Sequence, residues 1–418
     1  MKTARYLLIF ITIFTVQPVM GNELKLTPSV TLKEEYNDNI FFSVNDRKKD
    51  FISTLTPGIE LSDRSEKLDV NLLLKVNGIL YARTSELSAV DQDYRGRLRY
   101  MFSPRTSLSS EAGYTLDSQP DREIATTGLV LGAVKRHRQH YSLTGERALT
   151  EKTSAVLAYS YEQDDYDNQR FANLRYHDAS LTFTHDLDWL MRATKGSVSF
   201  GYAHYNSSVS LVDSLTSDST VDNYSATIGL SRAFSEVWSF QANAGGRYTV
   251  SKFHSWEFAG YVPEQLQGLI FLVPSFSPVT QKSHEWGWVG QLALSRKGEL
   301  TEGSLSFNTD VQPSSGQTSG TTVRTGLVAD MRRRFTYELS GSMSVGYYLN
   351  KSNPGAIAGQ AIDEETVLVT PGIRYEFNKD MYLEASYQYA TVFNNISHNE
   401  ANRNTVFVRL YIQHPFFM

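Results

Sequence analysis

The sequence predicts an all-β protein: a transmembrane antiparallel up-and-down β-barrel of about 18 strands (16–18), with short periplasmic turns and long extracellular loops. Three observations predict it. Polar and apolar residues alternate with a period of two along most of the chain. Many alternating runs exceed the roughly 5–6 residues of a globular strand and match the about 9–11 of a tilted membrane strand. Connections alternate between short and long, and aromatic residues sit near the ends of apolar faces, as in interfacial girdles.

Residues 1–21 read as a signal peptide. Lys2 and Arg5 form a basic start, an apolar run over 6–16 is too short to span a bilayer, and Val19, Met20 and Gly21 offer a cleavage position. Residues 22–418 then form a single barrel domain. No lipidation cysteine follows the cleavage site; the chain has no cysteine at all, which excludes a disulfide scaffold and thiolate metal sites. Removing Lys2 and Arg5 leaves 38 basic against 45 acidic residues. That balance argues against a nucleic-acid binder, which would carry a basic stripe. No later run approaches the roughly 18 apolar residues of a membrane helix.

Taken in chain order, the first strand puts Leu26, Val30 and Leu32 on one face and ends at Glu34–Tyr36; the chain returns through Phe51. Leu68, Val70, Leu72, Leu74 and Val76 alternate with Asp69, Asn71 and Lys75. On residues 91–102, Tyr94, Tyr100 and Phe102 oppose Arg95, Arg97 and Arg99. Tyr159 and Tyr161, then Trp286 and Trp288, mark later interfacial positions. Residues 322–332 alternate, as do 335–350, from Phe335 and Tyr337 through Leu349, and 383–393. The last strand puts Val406, Val408, Leu410 and Ile412 on one face. Short turns are expected at 63–66, 103–106, 150–152, 235–237 and 378–380. Long loops are expected at 37–50, 117–136, 165–173, 206–222, 252–283, 351–364 and 394–402. An even strand number puts both termini on the short-turn, periplasmic side.

In such a barrel the apolar face meets lipid and the other face lines an aqueous lumen. Parity then nominates lumen charges: Lys75 and Arg83, the ladder Arg95, Arg97 and Arg99, then Glu111, Arg247, Arg324, Arg332, Arg374 and Glu384. Two readings stay open. A basic wall facing acids across the pore would orient a polar solute; alternatively the charges pair along the wall and brace it.

The segment 252–283, "FHSWEFAGYVPEQLQGLIFLVPSF" at its centre, is too apolar for a solvated loop. It is expected to fold into the channel as a constriction, with Trp256, Phe258, Tyr261 and Phe271 as its bulky groups. The alternatives are an extended hairpin above the membrane or contact with a partner. Two Asn/Asp-rich stretches, "EEYNDNIFFS" (34–43) and "YEQDDYDNQRF" (161–171), have the turn chemistry of loop tips. Tyr36, Asn37, Asp38, Asn39, Tyr166 and Asn168 are the candidates for sugar contact, since aromatic faces stack and amides bond hydroxyls.

Catalytic constellations are weak. His177–Asp178 and His185–Asp186 are sequence neighbours and point to opposite faces of a strand, as do His137 and His140. There is no G-x-S-x-G elbow and no calcium-hand spacing. No enzyme activity, cofactor or metal is expected.

The residues "EEYNDNIFF" (34–42), Asp50, and "LTPGIEL" (55–61), with "YSYEQDDYDN" (159–168) farther on, resemble the β-barrel porin 2-like outer-membrane barrels encoded with exopolysaccharide or exosortase (PEP-CTERM) systems of Gram-negative bacteria. That family opens with an E-x-Y-D-N-like turn followed by a P-G-x-x strand. The resemblance implies a barrel of about 18 strands that lets a polysaccharide chain cross the outer membrane. It also implies a periplasmic polysaccharide-export protein as partner, and it brings no catalytic residues. The fold adds outer-membrane lipid and the barrel-assembly machinery. In this class a terminal aromatic is the assembly signal; here Phe416 and Phe417 precede Met418, so the signal is offset by one residue. The alternatives to export are a general or solute-selective porin and a structural or adhesive surface barrel.

Overall fold

The computed structural model describes residues 23–130, 133–169, 171–212, 215–266, 269–313, 321–352 and 362–417. The expected signal peptide lies outside the described residues. The strands in chain order are β1 (Glu23–Asn37), β2 (Asp50–Arg64), β3 (Leu68–Tyr81), β4 (Ala89–Ser103), β5 (Thr106–Asp117), β6 (Arg136–Ala148), β7 (Thr153–Tyr166), β8 (Asn173–Asp186) and β9 (Thr194–Val212). They continue with β10 (Leu215–Ala233), β11 (Trp238–Leu266), β12 (Leu269–Lys297), β13 (Thr301–Pro313), β14 (Thr321–Arg334), β15 (Leu339–Ser352), β16 (Asp363–Asn378), β17 (Met381–Asn394) and β18 (Asn399–Gln413). Each strand pairs antiparallel with the next, and β1 pairs with β18 from Ser29↔Gln413 to Asn37↔Thr405, closing the barrel. Phe416 and Phe417 continue β18 past Pro415 and pair with Leu26 and Lys25. Closure matters because an open sheet edge in lipid would leave backbone N–H and C=O groups without partners.

Alternation sets which face meets lipid. Val30, Leu32, Leu55, Ile59, Leu74, Leu98, Leu157, Phe200, Ile228 and Val408 are all exposed on the outside. No helix among the described residues is long and apolar enough to cross a membrane; the crossing elements are strands. Aromatic rings on the outer face meet between neighbouring strands toward the long-loop end: Tyr94 with Tyr114, Tyr141 with Tyr161, Tyr202 with Tyr224, Tyr248 with Trp286 and Trp288 with Phe307, at centroid separations of 4.8–6.4 Å. Tyr100–Phe102 and Tyr375–Phe377 pair toward the short-turn end. These are two interfacial girdles.

The eight short turns close one end, for example between Arg64 and Leu68, Ser103 and Thr106, and Asn378 and Met381. Three sequence expectations change. Residues 206–212 and 215–222 are strand rather than loop, because β9 and β10 stay paired up to Val212↔Leu215. Within 252–266 and 269–283 the chain likewise stays in a ladder, β11 with β12 up to Leu266↔Leu269. The three prolines of this arm sit where proline is tolerated. β11 pairs with β10 only as far as His254, and β12 pairs with β13 only from Gly290, so Pro263, Pro274 and Pro278 lie on free strand edges. Finally, Phe335 and Tyr337 lie in a turn, held by the Phe335 and Thr336 N–H groups donating to the Leu339 carbonyl. Apolar alternation ran through that turn without belonging to a strand.

Candidate functional site

The chain enters the lumen between β5 and β6. This connection (118–135) includes a single turn, α1 (Ile124–Thr127), ended by Gly128 at φ 73°. A Cβ at Gly128 would lie 2.6 Å from the Tyr348 Cβ, so only glycine gives both the left-handed backbone and the close approach to β15. The Gly128 carbonyl accepts from Thr366 Oγ1 at 2.6 Å, and the Ala125 carbonyl accepts from Tyr348 Oη at 2.7 Å. Ile124 packs with Phe42, Leu368, Ala390 and Ala401. A connection rooted in β5 and β6 thus docks on β15–β18, on the other side of the barrel. Burial of Ile124 and Leu129, at 2% and 4% exposure, contributes about 1.5–3 kcal/mol each to holding it there.

Charge fixes both ends. At the root, Asp164 is fully buried and takes a bidentate pair from Arg138, Nε and Nη2 both at 2.7 Å. Arg136 bonds Asp117 at 2.7 Å and also Glu123, whose carboxylate accepts from Arg138 at 3.1 Å. The far end is held by Arg403, whose guanidinium donates to Asp121 and to Gln388, each at 2.7 Å, and lies 4.4 Å over the Phe42 ring. Burial alone would lift the Asp121 and Glu123 carboxyls. Arg403 beside the first, and Arg136 and Arg138 beside the second, outweigh it and hold both below the ordinary carboxylate range. Their contribution to docking is therefore present above the released value of about 4 and is lost as pH falls through the lower docked values. Conductance of the inserted protein is expected to be flat from about pH 8 to about pH 5 and to rise below about pH 4; a current unchanged in acid would contradict this pairing.

The Asn/Asp-rich motif serves this docking. The Asp38 carboxylate accepts from the Asn404 N–H and side-chain amide, each at 2.7 Å. Asn39, fully buried, donates to the Ser43 and Asn402 carbonyls and accepts from the Ser43 N–H, each at 2.9 Å. The Asn37 side chain accepts from the Asn39 N–H. The motif therefore clamps β1 to β18 at the closure seam and turns Phe42, at φ 52°, onto the lumen segment. These bonds bury Asn37 and Asn39, which the sequence had placed at a sugar-contacting tip. Tyr36 meets Phe51 in a tilted ring contact at 5.0 Å, Tyr166 is buried against Phe171, and Asn168 stays at an exposed tip. Asp50, fully buried, accepts from the Phe51, Arg83 and Thr84 N–H groups. That capping ends β3 at Tyr81, so Arg83 lies in the β3–β4 connection and not on a lumen-facing strand.

The 252–283 arm does not form the expected constriction. Phe258 and Tyr261 are exposed, Trp256 donates to the Thr216 carbonyl on the neighbouring β10, and the strand backbone at Phe271 pairs with Glu264. Pairing through the ladder keeps the arm extended, whereas the polar anchors of 118–135 draw that segment inward.

Two chambers are lined by the strands of the wall. On β1–β6 the wall is charged: Glu60, Arg64, Asp69, Arg97, Arg99 and Glu111 share one cavity. Arg97 pairs with Glu111 at 3.1 Å and Arg95 with Asp93 at 2.9 Å. Farther round, Glu384 joins Arg374 and Arg409, Arg332 meets Glu376, Arg247 meets Glu285, and Arg324 bonds Asn350. These contacts run along the wall between near neighbours. Lys75 lies opposite Asp93 on β4. On β8–β13 the wall is neutral, with Thr182, Ser199, Ser225, Asn243, Gln291 and Asn308 among its residues. Lys195 and Asp310 are the charged side chains among the described residues lining it.

A family model described as "Putative beta-barrel porin 2" matches residues 24–188 and 296–414, more than half of the chain. The unmatched stretch between them carries β9–β11 and nearly all of β12. No curated protein matches the chain significantly. Similar solved structures include the ferric-catecholate import receptor Fiu from E. coli K12 in its open form, at 8% identity over 95% of this chain and 82% of that one, with a TM-score of 0.49. The siderophore receptor PirA from Pseudomonas aeruginosa is similar at 11% identity over 95% and 81%, with a TM-score of 0.43. The ferric citrate transporter FecA in its unliganded form is similar at 10% identity over 95% and 80%, with a TM-score of 0.46.

Proposed function

This chain belongs to the Putative beta-barrel porin 2 family, and from that premise we propose that it is the outer-membrane channel through which a surface or secreted polysaccharide leaves a Gram-negative cell. In this reading the long loops face outward and both termini are periplasmic. The observation that carries it is the neutral chamber on β8–β13. Hydroxyls and amides both donate and accept, so they can exchange bonds with successive sugar hydroxyls without holding any one of them strongly. The charges of the opposite wall are largely neutralised in local pairs, which leaves a weak transverse field and no strong trap for either sign. The β5–β6 segment is the gate, and a periplasmic polysaccharide-export protein would meet the short-turn rim. Outer-membrane lipid surrounds the girdles, and the barrel-assembly machinery inserts the chain. A solute-selective porin is the second reading, favoured by the narrowing that the docked segment imposes. Deleting the gene separates the two. Export predicts loss of the surface polymer or its accumulation in the periplasm; unchanged surface polymer removes the export reading and leaves the porin.

A further inference from the structure

Among the described residues, the ladder between β12 and β13 is the shortest in the wall. β12 and β13 pair only from Lys297↔Glu302 to Gly290↔Thr309. Beyond that point Leu269–Val289 pairs with β11 alone and Asp310–Pro313 with β14 alone. The parting begins at the long-loop girdle, where Trp288, just past the last rung, stacks on Phe307.

Two bare strand edges at a membrane interface are costly and prone to pair with each other. Here they are held apart. The Val311 N–H donates to Asp310 Oδ1 at 2.7 Å, and the Val311 carbonyl accepts from Tyr205 Oη at 3.3 Å. Val311 is fully buried. Tyr205 belongs to β9, four strands away, and is itself fixed, 4% exposed and stacked on Tyr176 at 4.9 Å. Side chains therefore meet the backbone groups of β13 that β12 leaves unpaired, and the end of β13 is drawn toward β9. On the other bank, Gly287 gives room to the Arg247 guanidinium, which a Cβ there would approach to 2.6 Å. That guanidinium is 3% exposed and keeps Nε without a hydrogen-bond partner beside the parted edge.

The two sides of the parting differ. Inside is the neutral chamber, whose lining includes Val289, Gly290, Gln291 and Asn308, together with Asp310 and Gln312. Outside, Trp286 and Trp288 are 79% and 60% exposed on the lipid face. A molecule with a polar head in the chamber and an apolar tail beside the tryptophans would satisfy both.

We propose that the parted β12–β13 seam is a side portal that passes an amphipathic, alkyl-anchored glycan between the lumen and the outer leaflet. The proposal rests on the glycan reading and on the long loops facing outward. It puts the portal at the edge of the stretch that the family model does not match.

The natural absence of cysteine makes the test clean. The pair Leu292→Cys/Phe307→Cys spans an intact rung and should oxidise readily; Trp288→Cys/Val311→Cys spans the parting and should not. Tyr205→Phe removes the bond to Val311 and should let the second pair oxidise. In proteoliposomes, dodecyl maltoside with a photoreactive diazirine in its tail should label 286–290 and 309–313 above the rest of the belt. Unlabelled dodecyl maltoside should compete and maltose should not. Ready oxidation of the 288/311 pair in the otherwise native protein, or uniform labelling around the belt, would overturn the portal. Loss of surface polymer on gene deletion alongside either result would keep the export reading and discard the portal alone.

Discussion

Replacing Arg403 with alanine is expected to release the lumen segment at its far end and to raise the fraction of time the channel conducts. Arg403 is 1% exposed and holds Asp121, Gln388 and the Phe42 face together. Removing one member of a buried charge pair typically costs about 3–5 kcal/mol, because the other charge is left without a partner. The Asp121 side chain is 28% exposed, and it regains full hydration by leaving the site with its backbone, which is the undocking event. Arg403→Lys should fall between: it keeps the charge but loses the two-pronged geometry and most of the stacking. The check is single-channel recording in planar bilayers together with limited proteolysis at 119–134. Arg403→Ala with native current and a protected segment would show that docking does not depend on this pair.

Much of the architecture was legible because a strand records its two environments in alternate residues. Leu68–Val76 and Thr322–Arg332 carry that record with one break each, at Leu73 and Val328, and the turns after Arg64, Ser103 and Asn378 fall where their residues suggest. Parity also groups side chains: Arg97, Arg99 and Glu111 line one cavity. The record fails where its cause is not local. Residues 252–283 are apolar, and apolarity alone predicts insertion; antiparallel pairing instead carries them outward as an arm with edge prolines. The segment that does enter has modest hydrophobicity. Its docking depends on Asp121 meeting Arg403 and Thr366 meeting Gly128 across more than 230 positions of sequence, as the separations of 282 and 238 show. Nothing in a single sequence announces such a pair. The Asn37–Asn39 turn was visible as a turn, but its role as a clamp depends on Asn402 and Asn404, which barrel closure brings beside it.

The most direct measurement of the central claim, a lumen gated by the β5–β6 connection, compares two trimmed barrels in the same bilayer. One replaces 119–134 with a short glycine–serine linker; the other shortens the arm by removing 256–276. An 18-stranded barrel without a plug approaches the size of an open aqueous channel, so the first trim should raise conductance roughly tenfold. The second should leave it near the native level, since the exposed arm contributes nothing to the narrowing. Folding of each is checked by heat-dependent gel mobility, which reports barrel closure independently of current. A rise on trimming the arm, with no change on trimming 119–134, would contradict the account and return the constriction to 252–283.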